Sequence, residues 1–536
     1  MISSKLMHGK AKIIIPALLL AGTTACTILG PDYTSPPPVP LPETWSAEDL
    51  GEKSADESAW WRLFNDPVLD KLIERGARQN LSLEAAGLRI VQARAALGIS
   101  DALVFPQQQQ VSGNLAKIYQ NETSFNAAGI GLDVGWEMDI WGKYARGIES
   151  AEANLYASIA SYRDVLVSIT AEIARNYISY RTAEERTLLS EQNIAIQERV
   201  VEMTQVQYES GNVSELDVQQ ARTQLYATQS SLPSLTIARL QSRNALAVLL
   251  GTIPEDIEAM LASGEQRRPS TYDERLASAI EGKDAETKFV EEYDANSIIP
   301  VAPKLATDIN PELVRRRPDL QVAELRAQAQ SARIGAAETN LYPQFFLFGS
   351  IGISDTVRSG DSFSASNAVT AAVGPGLSWN IFQYDRIKNQ VRIEDALFQE
   401  SLSNYNQRVL EAVQEVSNAL VGYQYTLQRS EYDFAAVKAS IRAFNISANQ
   451  YNNGLVTYQR LLSTVEKMTL REDIYAQTRG SIANQVVALY KSLGGGWQPH
   501  ADLPLVKPNT VRQMQERTDW GDYLDSETIT GDDRNE

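Results

Sequence analysis

Between Ile148 and Ser210 the sequence contains neither glycine nor proline, so nothing in it interrupts a helix. That is about 63 residues, or roughly 95 Å at 1.5 Å per residue. A rod of this length does not fit inside an ordinary globular core. Just before it, Ile130, Leu132, Val134, Trp136, Met138 and Ile140 alternate with Gly129, Gly131, Asp133, Gly135, Glu137 and Asp139. A period of two predicts a strand with one apolar side and one polar or bare side. Chains that join such a strand to such a rod are few.

The whole unit occurs twice. Gly376-Leu-Ser-Trp379-Asn-Ile-Phe382 answers the strand that ends near Trp136, and Arg386 to Asn453 is a second rod with only Gly422 inside it. Gln207-Tyr208-x-x-Gly211 and Gln450-Tyr451-x-x-Gly454 end the two rods. A repeat this long sets the architecture before any local signal does. The fold class is mainly α with membrane β, built from two copies of helices, β-hairpin and long helical hairpin.

Residues 60–251 form the first repeat and 310–497 the second, with an inter-repeat segment at 252–309. Phe105-Pro106 and Leu341-Tyr-Pro343 break the leading helices, and strands are expected at Gln107–Tyr119, Gly129–Ile140, Gln344–Ile353 and Ala368–Phe382. The first hairpin turns near Asn121–Asn126. Gly211 and Gly454 stop the rods in the manner of C-terminal glycines, and Ser214 with Asp217 has capping-box spacing at the start of the returning helix. Ile159, Tyr162, Leu166, Ile169, Ile173, Tyr177 and Tyr180 are three or four residues apart, a seam for another helix. Trp60-Trp61 reads as a packing anchor and Glu184-Glu185 as part of a solvated face. Residues 498–536 are acidic and turn-rich and read as a disordered tail.

Composition removes several functions. With 49 Lys and Arg against 67 Asp and Glu the net charge is −18, which opposes nucleic-acid binding. Two histidines, His8 and His500, both in segments read as peripheral, and one cysteine leave no histidine-based acid–base site, zinc site, disulfide or redox pair. No metal or cofactor is expected, and no Gly-rich phosphate loop followed by Lys-Ser/Thr is present. An enzyme is not expected.

The cysteine is Cys26. Lys5, Lys10 and Lys12 precede an apolar run, Ile13–Ala21, and then Gly22-Thr-Thr-Ala25. The run is too short to span a bilayer, and the pattern resembles a bacterial lipoprotein signal covering 1–25, with Cys26 as the lipidated residue. A secretory peptide cleaved nearby is the alternative. Residues 26–59, with Gly30-Pro-Asp-Tyr33 and a proline-rich run, read as an extended tether.

Four strands per chain cannot remain an open sheet in hydrocarbon, because every edge amide and carbonyl would be unsatisfied. Single-chain barrels need about eight strands or more, so closure requires several subunits. Three chains give about twelve strands and a continuous tube, and two give about eight with little channel inside.

Cys26 to Trp497 resembles the outer-membrane efflux proteins of the TolC-like class, in the lipoprotein branch that serves resistance-nodulation-division (RND) pumps. The resemblance is carried by Gly30-Pro-Asp-Tyr33, Trp136-Glu-Met-Asp-Ile-Trp-Gly142, Tyr208-x-x-Gly211, Arg316-Arg-Pro-Asp319, Ala332-Arg-Ile-Gly335, Tyr451-x-x-Gly454 and Ala488-Leu-Tyr-Lys-x-Leu-Gly-Gly-Gly-Trp497. It implies a homotrimer with a twelve-stranded barrel in outer-membrane lipid, a helical barrel in the periplasm, and a periplasmic adaptor and inner-membrane RND transporter as partners. Trp136, Gly142 and Trp379 would mark the strand-to-helix corners. The gate would be at the hairpin tips, around Tyr208, Gly211, Tyr451 and Gly454. Relatives often place aspartates six or nine residues after the second-repeat glycine, where this chain has Arg460 and Ser463, while Asp217 is kept in the first repeat. Arg460 is therefore expected to pair with Asp217 or a neighbouring carboxylate. A duct for polypeptide secretion and a lipid-anchored periplasmic adaptor or structural coiled coil are the alternative functions. The second would need no lipid-facing strands.

Overall fold

The computed structural model describes residues 28–35, 58–262, 297–303, 311–358 and 369–524. Cys26, the signal segment and most of the tether lie outside the described residues, as does most of the inter-repeat segment. After a short turn of helix at Trp60–Phe64, α1 (Pro67–Gln79) and α2 (Leu81–Ala102) lead to β1 (Gln108–Gln120) and β2 (Thr123–Glu137). The chain continues through α3 (Lys143–Glu209), α4 (Glu215–Leu249) and a short α5 (Glu255–Leu261). The second copy runs through α6 (Pro318–Glu338), β3 (Gln344–Arg358), β4 (Val369–Ser378), α7 (Tyr384–Asn452) and α8 (Tyr458–Ser492), and α9 (Pro508–Arg517) follows.

Local chemistry sets these boundaries. Asp66 accepts from the Val68 and Leu69 amides with Pro67 at the first helical position, and Asn80 ends α1 and caps α2 through Leu83 N. At the start of α3 the Asp139 carboxylate accepts from the Tyr144 and Ala145 amides, 3.1 and 2.8 Å away, so the backbone leaves β2 after Glu137 rather than continuing to Ile140. The rods are 67 and 69 residues long, about 100 Å each. Helix α4 passes through Pro233 without stopping. The ring removes one ladder bond, and buried Thr228 and Leu235 on either side hold the helix.

The rod seam is in place: Tyr162, Leu166, Ile169, Ile173, Tyr177 and Tyr180 are all buried, and Ile159 is half-buried against the same core. Gly76 of α1 lies against Ile173, where a Cβ would come within 2.3 Å of its side chain. Trp60 is fully buried and stacks on Tyr490 at 5.6 Å, which makes the tryptophan pair a packing anchor. One core joins α1, α2, α3, α7 and α8 around Trp60, and a second, with Ile196, Phe444, Leu461 and Met468, runs toward the hairpin ends.

Three expectations are corrected. The turn between β1 and β2 is only Asn121-Glu122, both at positive φ (48° and 62°), the geometry that matches the twist of a tight hairpin. Strand β2 therefore begins at Thr123, six residues earlier than its alternation suggested, and β1 runs one residue further, to Gln120. Glu185 does not belong to a solvated face. It is buried and accepts from Ile298 N (2.9 Å) and Ser297 Oγ (3.1 Å), fastening the end of the inter-repeat segment to α3.

The third correction is the tail. Gln498 to Leu524 is folded: Val506, Met514 and Leu524 pack on Val91 of α2, and His500 is buried against Trp61, where burial pushes its pKa down. Residues 525–536 lie outside the described residues. Lys507 Nζ reaches Glu84 at 2.9 Å and Gln79 O at 3.0 Å, and Thr510 also donates to Glu84. Burial alone would raise the Glu84 carboxyl, but these two partners outweigh it and hold the pKa below the ordinary value. Such a group stabilises the fold above its unfolded pKa, and the contribution is lost as pH falls through the lower folded pKa. Lys507→Ala is expected to speed trypsin cleavage at Arg512 and Arg517 at neutral pH, and its loss of melting temperature relative to wild type to narrow as pH falls through the lowered Glu84 pKa. An unchanged digestion rate at neutral pH would contradict the strap.

Candidate functional site

The four strands form one antiparallel sheet in the order β1-β2-β3-β4. Partners in the register share a side: Val111, Leu132, Ile351 and Ala371 form one cross-strand row, and Gly113, Ile130, Ile353 and Val369 the next. On the opposite side, Gln110, Asp133, Ser350 and Ala372 form a row, and so do Ser112, Gly131, Gly352 and Thr370. Ile130, Ile351, Val369 and Val373 are exposed apolar residues on the first side. Such asymmetry over four strands suits hydrocarbon on one face and water on the other. Among the described residues no helix is long and apolar enough to cross a membrane. From Trp136 to Ser124, the partner of Tyr119, the strand runs for about 12 residues. At ~3.3 Å per residue and a tilt near 40° that is roughly 30 Å, with an aromatic residue at each edge.

The corner below the sheet is built twice in the same way. The Trp136 indole donates to Val104 O (2.9 Å), and the Trp379 indole to Leu341 O (3.0 Å), each carbonyl lying in the break before its own strand pair. Gly142 is the N-cap of α3 at φ 77°, and a Cβ there would meet Ile28 at 2.9 Å. The N-terminal segment is seated here. Arg146, buried on α3, reaches Leu29 O, Gly30 O and Asp32, and Gly30 abuts Gly335, whose Cα would lie 2.3 Å from a Cβ on Gly30. The Gly30-Pro-Asp-Tyr33 and Ala332-Arg-Ile-Gly335 motifs thus meet each other, which their separation in sequence does not disclose. Their effect is to hold the chain beyond Cys26 at the level of the membrane edge.

At the other end the rods terminate identically. Gly211 N bonds Tyr208 O and Asn212 N bonds Gln207 O, while Gly454 N bonds Tyr451 O and Leu455 N bonds Gln450 O, all at 2.8–2.9 Å. Gly211 and Gly454 have φ 77° and 72°, which favours glycine there. The two ends are joined by Tyr451 Oη donating to Gln207 Oε1 at 2.8 Å, a bond between residues 244 apart that no local pattern signals. Tyr451 is buried, whereas Tyr208 is exposed. Asp217 accepts from Ser214 N and Ser214 Oγ at 2.9 and 2.7 Å, completing the capping box. Arg460 is exposed and Ser463 half-buried on the first turns of α8, and the expected Arg460–Asp217 pair is not formed within one chain. Among the described residues no group of three His, Cys, Asp or Glu could hold a metal ion.

A two-faced sheet hung on two pairs of rods, with both outer strands β1 and β4 unpaired on their far edges among the described residues, defines a subunit of an outer-membrane channel that closes by association. The sequence matches the outer membrane efflux protein family over residues 72–252 and 311–495, and the chain belongs to that family. It is 27% identical to Nodulation protein T of Rhizobium leguminosarum bv. trifolii over 91% of this chain and 98% of that protein. It is 25% identical to the probable outer membrane lipoprotein SilC of Salmonella typhimurium over 89% of this chain and 97% of that one. The solved outer-membrane channel OprN superimposes with a TM-score of 0.75 at 30% identity, over 88% of this chain and all of OprN. The fold is that of the TolC-like channels, and the protein belongs to the outer membrane. Members of the family form trimeric channels within tripartite efflux pumps, and they are channels rather than enzymes.

Proposed function

We propose that this chain is the outer-membrane duct of a tripartite efflux system, conducting small molecules passively from an RND-type transporter and its periplasmic adaptor to the exterior. The observation that carries the reading is the two-faced sheet joined to rods about 100 Å long, which supports a membrane pore and a distant periplasmic opening in one body. Attachment of lipid at Cys26 accords with the seating of residues 28–32 beside the strand-to-helix corner. The lipoprotein-like N-terminus supports small molecules over polypeptides as cargo. A deletion strain is expected to become sensitive to dyes, detergents and antibiotics with an unchanged secreted proteome. Loss of particular secreted proteins without drug sensitivity would favour the secretion duct instead.

The hairpin ends are the proposed gate and adaptor-docking region, with Tyr208, Gly211, Asp217, Tyr451, Gly454, Arg460 and Ser463 as its residues. Because the Asp217 carboxylate is engaged by Ser214 and Arg460 projects from the surface, the pairing proposed for Arg460 is with a carboxylate of the neighbouring protomer. Arg460→Ala is then expected to raise resting conductance and admit a large antibiotic such as vancomycin. Unchanged conductance and vancomycin entry would rule the pairing out.

A further inference from the structure

We propose that Phe346 and Phe348 form a contact site for planar aromatic solutes where the helical tunnel opens into the strand barrel. The inference rests on the channel reading above, since it takes the polar side of the sheet to face a water-filled lumen.

Both residues are on that polar side. Phe346 is opposite Glu137 on β2 and Gly376 on β4, and Phe348 is opposite Gly135 and Gly374. Glu137 is the last residue of β2, which puts the pair at the periplasmic end of the sheet. The rings lie over bare backbone: a Cβ on Gly376 would come within 2.2 Å of the Phe346 ring, and one on Gly374 would touch Phe348 at 3.6 Å. The two ring centroids are 6.4 Å apart at 46°, and Phe348 remains 41% exposed.

Covering glycines with neighbouring aromatics is a known way to stabilise a sheet, and it accounts for the ring faces turned toward β4. It does not account for an exposed phenyl group beside a half-buried one on a face otherwise rich in Gln, Ser, Thr and Gly, where an aliphatic residue would cover backbone equally well. Open phenyl faces offer offset or edge-to-face stacking to a planar aromatic molecule. Two rings per chain and three chains place about six at one height around the lumen.

The test uses the full-length trimer in planar bilayers, with 9-aminoacridine added on the barrel side so that it reaches the site without crossing the hairpin ends. Tetrabutylammonium, a cation of equal charge without a ring, is the control. Phe346→Ala/Phe348→Ala is expected to shorten acridine blocking events about two- to tenfold and to leave tetrabutylammonium block unchanged. Phe346→Leu/Phe348→Leu, which keeps apolar cover over the glycines, is expected to shorten them as well and stands in for the alanine pair should that variant not assemble. Acridine events of wild-type length in the assembled variants, or equal shortening for both cations, would overturn the proposal. A wild-type trimer that passes no current would overturn the channel reading, and this inference with it.

Discussion

Ile130→Arg is expected to abolish the heat-stable trimer, whereas Asp133→Arg, three residues along the same strand, leaves it intact. Ile130 lies on the apolar side between Gly113 and Ile353, midway between the aromatic edges at Trp136 and Tyr119. Burying a guanidinium at the bilayer midplane costs about 2–4 kcal/mol on a barrel strand, and threefold symmetry multiplies that to roughly 6–12 kcal/mol per assembly. Asp133 faces the other way, between Gln110 and Ser350, where a charge keeps its water. Trimer dissociation temperature on a gel, with outer-membrane yield, reads both variants. Similar behaviour of the two would mean that the sheet does not divide lipid from water.

The second large effect is expected at Arg317. Its buried guanidinium donates to Ser492 O at 2.8 Å, holds Asp319 through two bonds and pairs with Glu415 at 2.8 Å, while Gly494 packs against its stem. Desolvation opposes its charge, but these acids prevail and hold its pKa up. Arg317 therefore clamps the start of α6 to α7 and to the end of α8, across a polar cleft that also contains Asp164, Arg408 and Lys491. In that cleft burial pushes the Asp164 carboxyl up. Arg317→Ala leaves Asp319 and the Ser492 carbonyl without their partner, and breaking a buried pair in this way costs about 3–5 kcal/mol. Arg78→Ala removes an exposed i,i+4 pair with Glu74, worth about 0.3–0.5 kcal/mol, and is expected to melt like wild type. Equal dissociation temperatures for the two variants would contradict the clamp.

What could be read before the structure was whatever repeats along the chain. The long proline-free rods, the alternation around Trp136 and the paired Tyr-x-x-Gly ends depend on local periodicity and turn chemistry, and they lie close to where they were expected. Contacts between distant segments leave no such trace. Arg146 could not be matched to Asp32, nor Gly30 to Gly335, because nothing in the residues between them encodes the approach. Glu185 looked solvated because its partners, Ser297 and Ile298, come from the inter-repeat segment. The tail looked unstructured because Val506, Met514 and Leu524 have no helical or strand period; they are ordered by the face of α2 that they cover. At the hairpin ends the turns were legible but the pairing of charges was not, since among the described residues of its own chain Arg460 is not paired with Asp217.

The most direct test of the account is the mass of the protein extracted from the outer membrane, measured by light scattering with the detergent contribution removed. Among the described residues each chain has four strands with unpaired outer edges, so this sheet closes by joining β4 of one protomer to β1 of the next. The account predicts a mass of three mature chains. A stable particle of one chain would show that these strands do not form a membrane barrel, and the duct would fall with it.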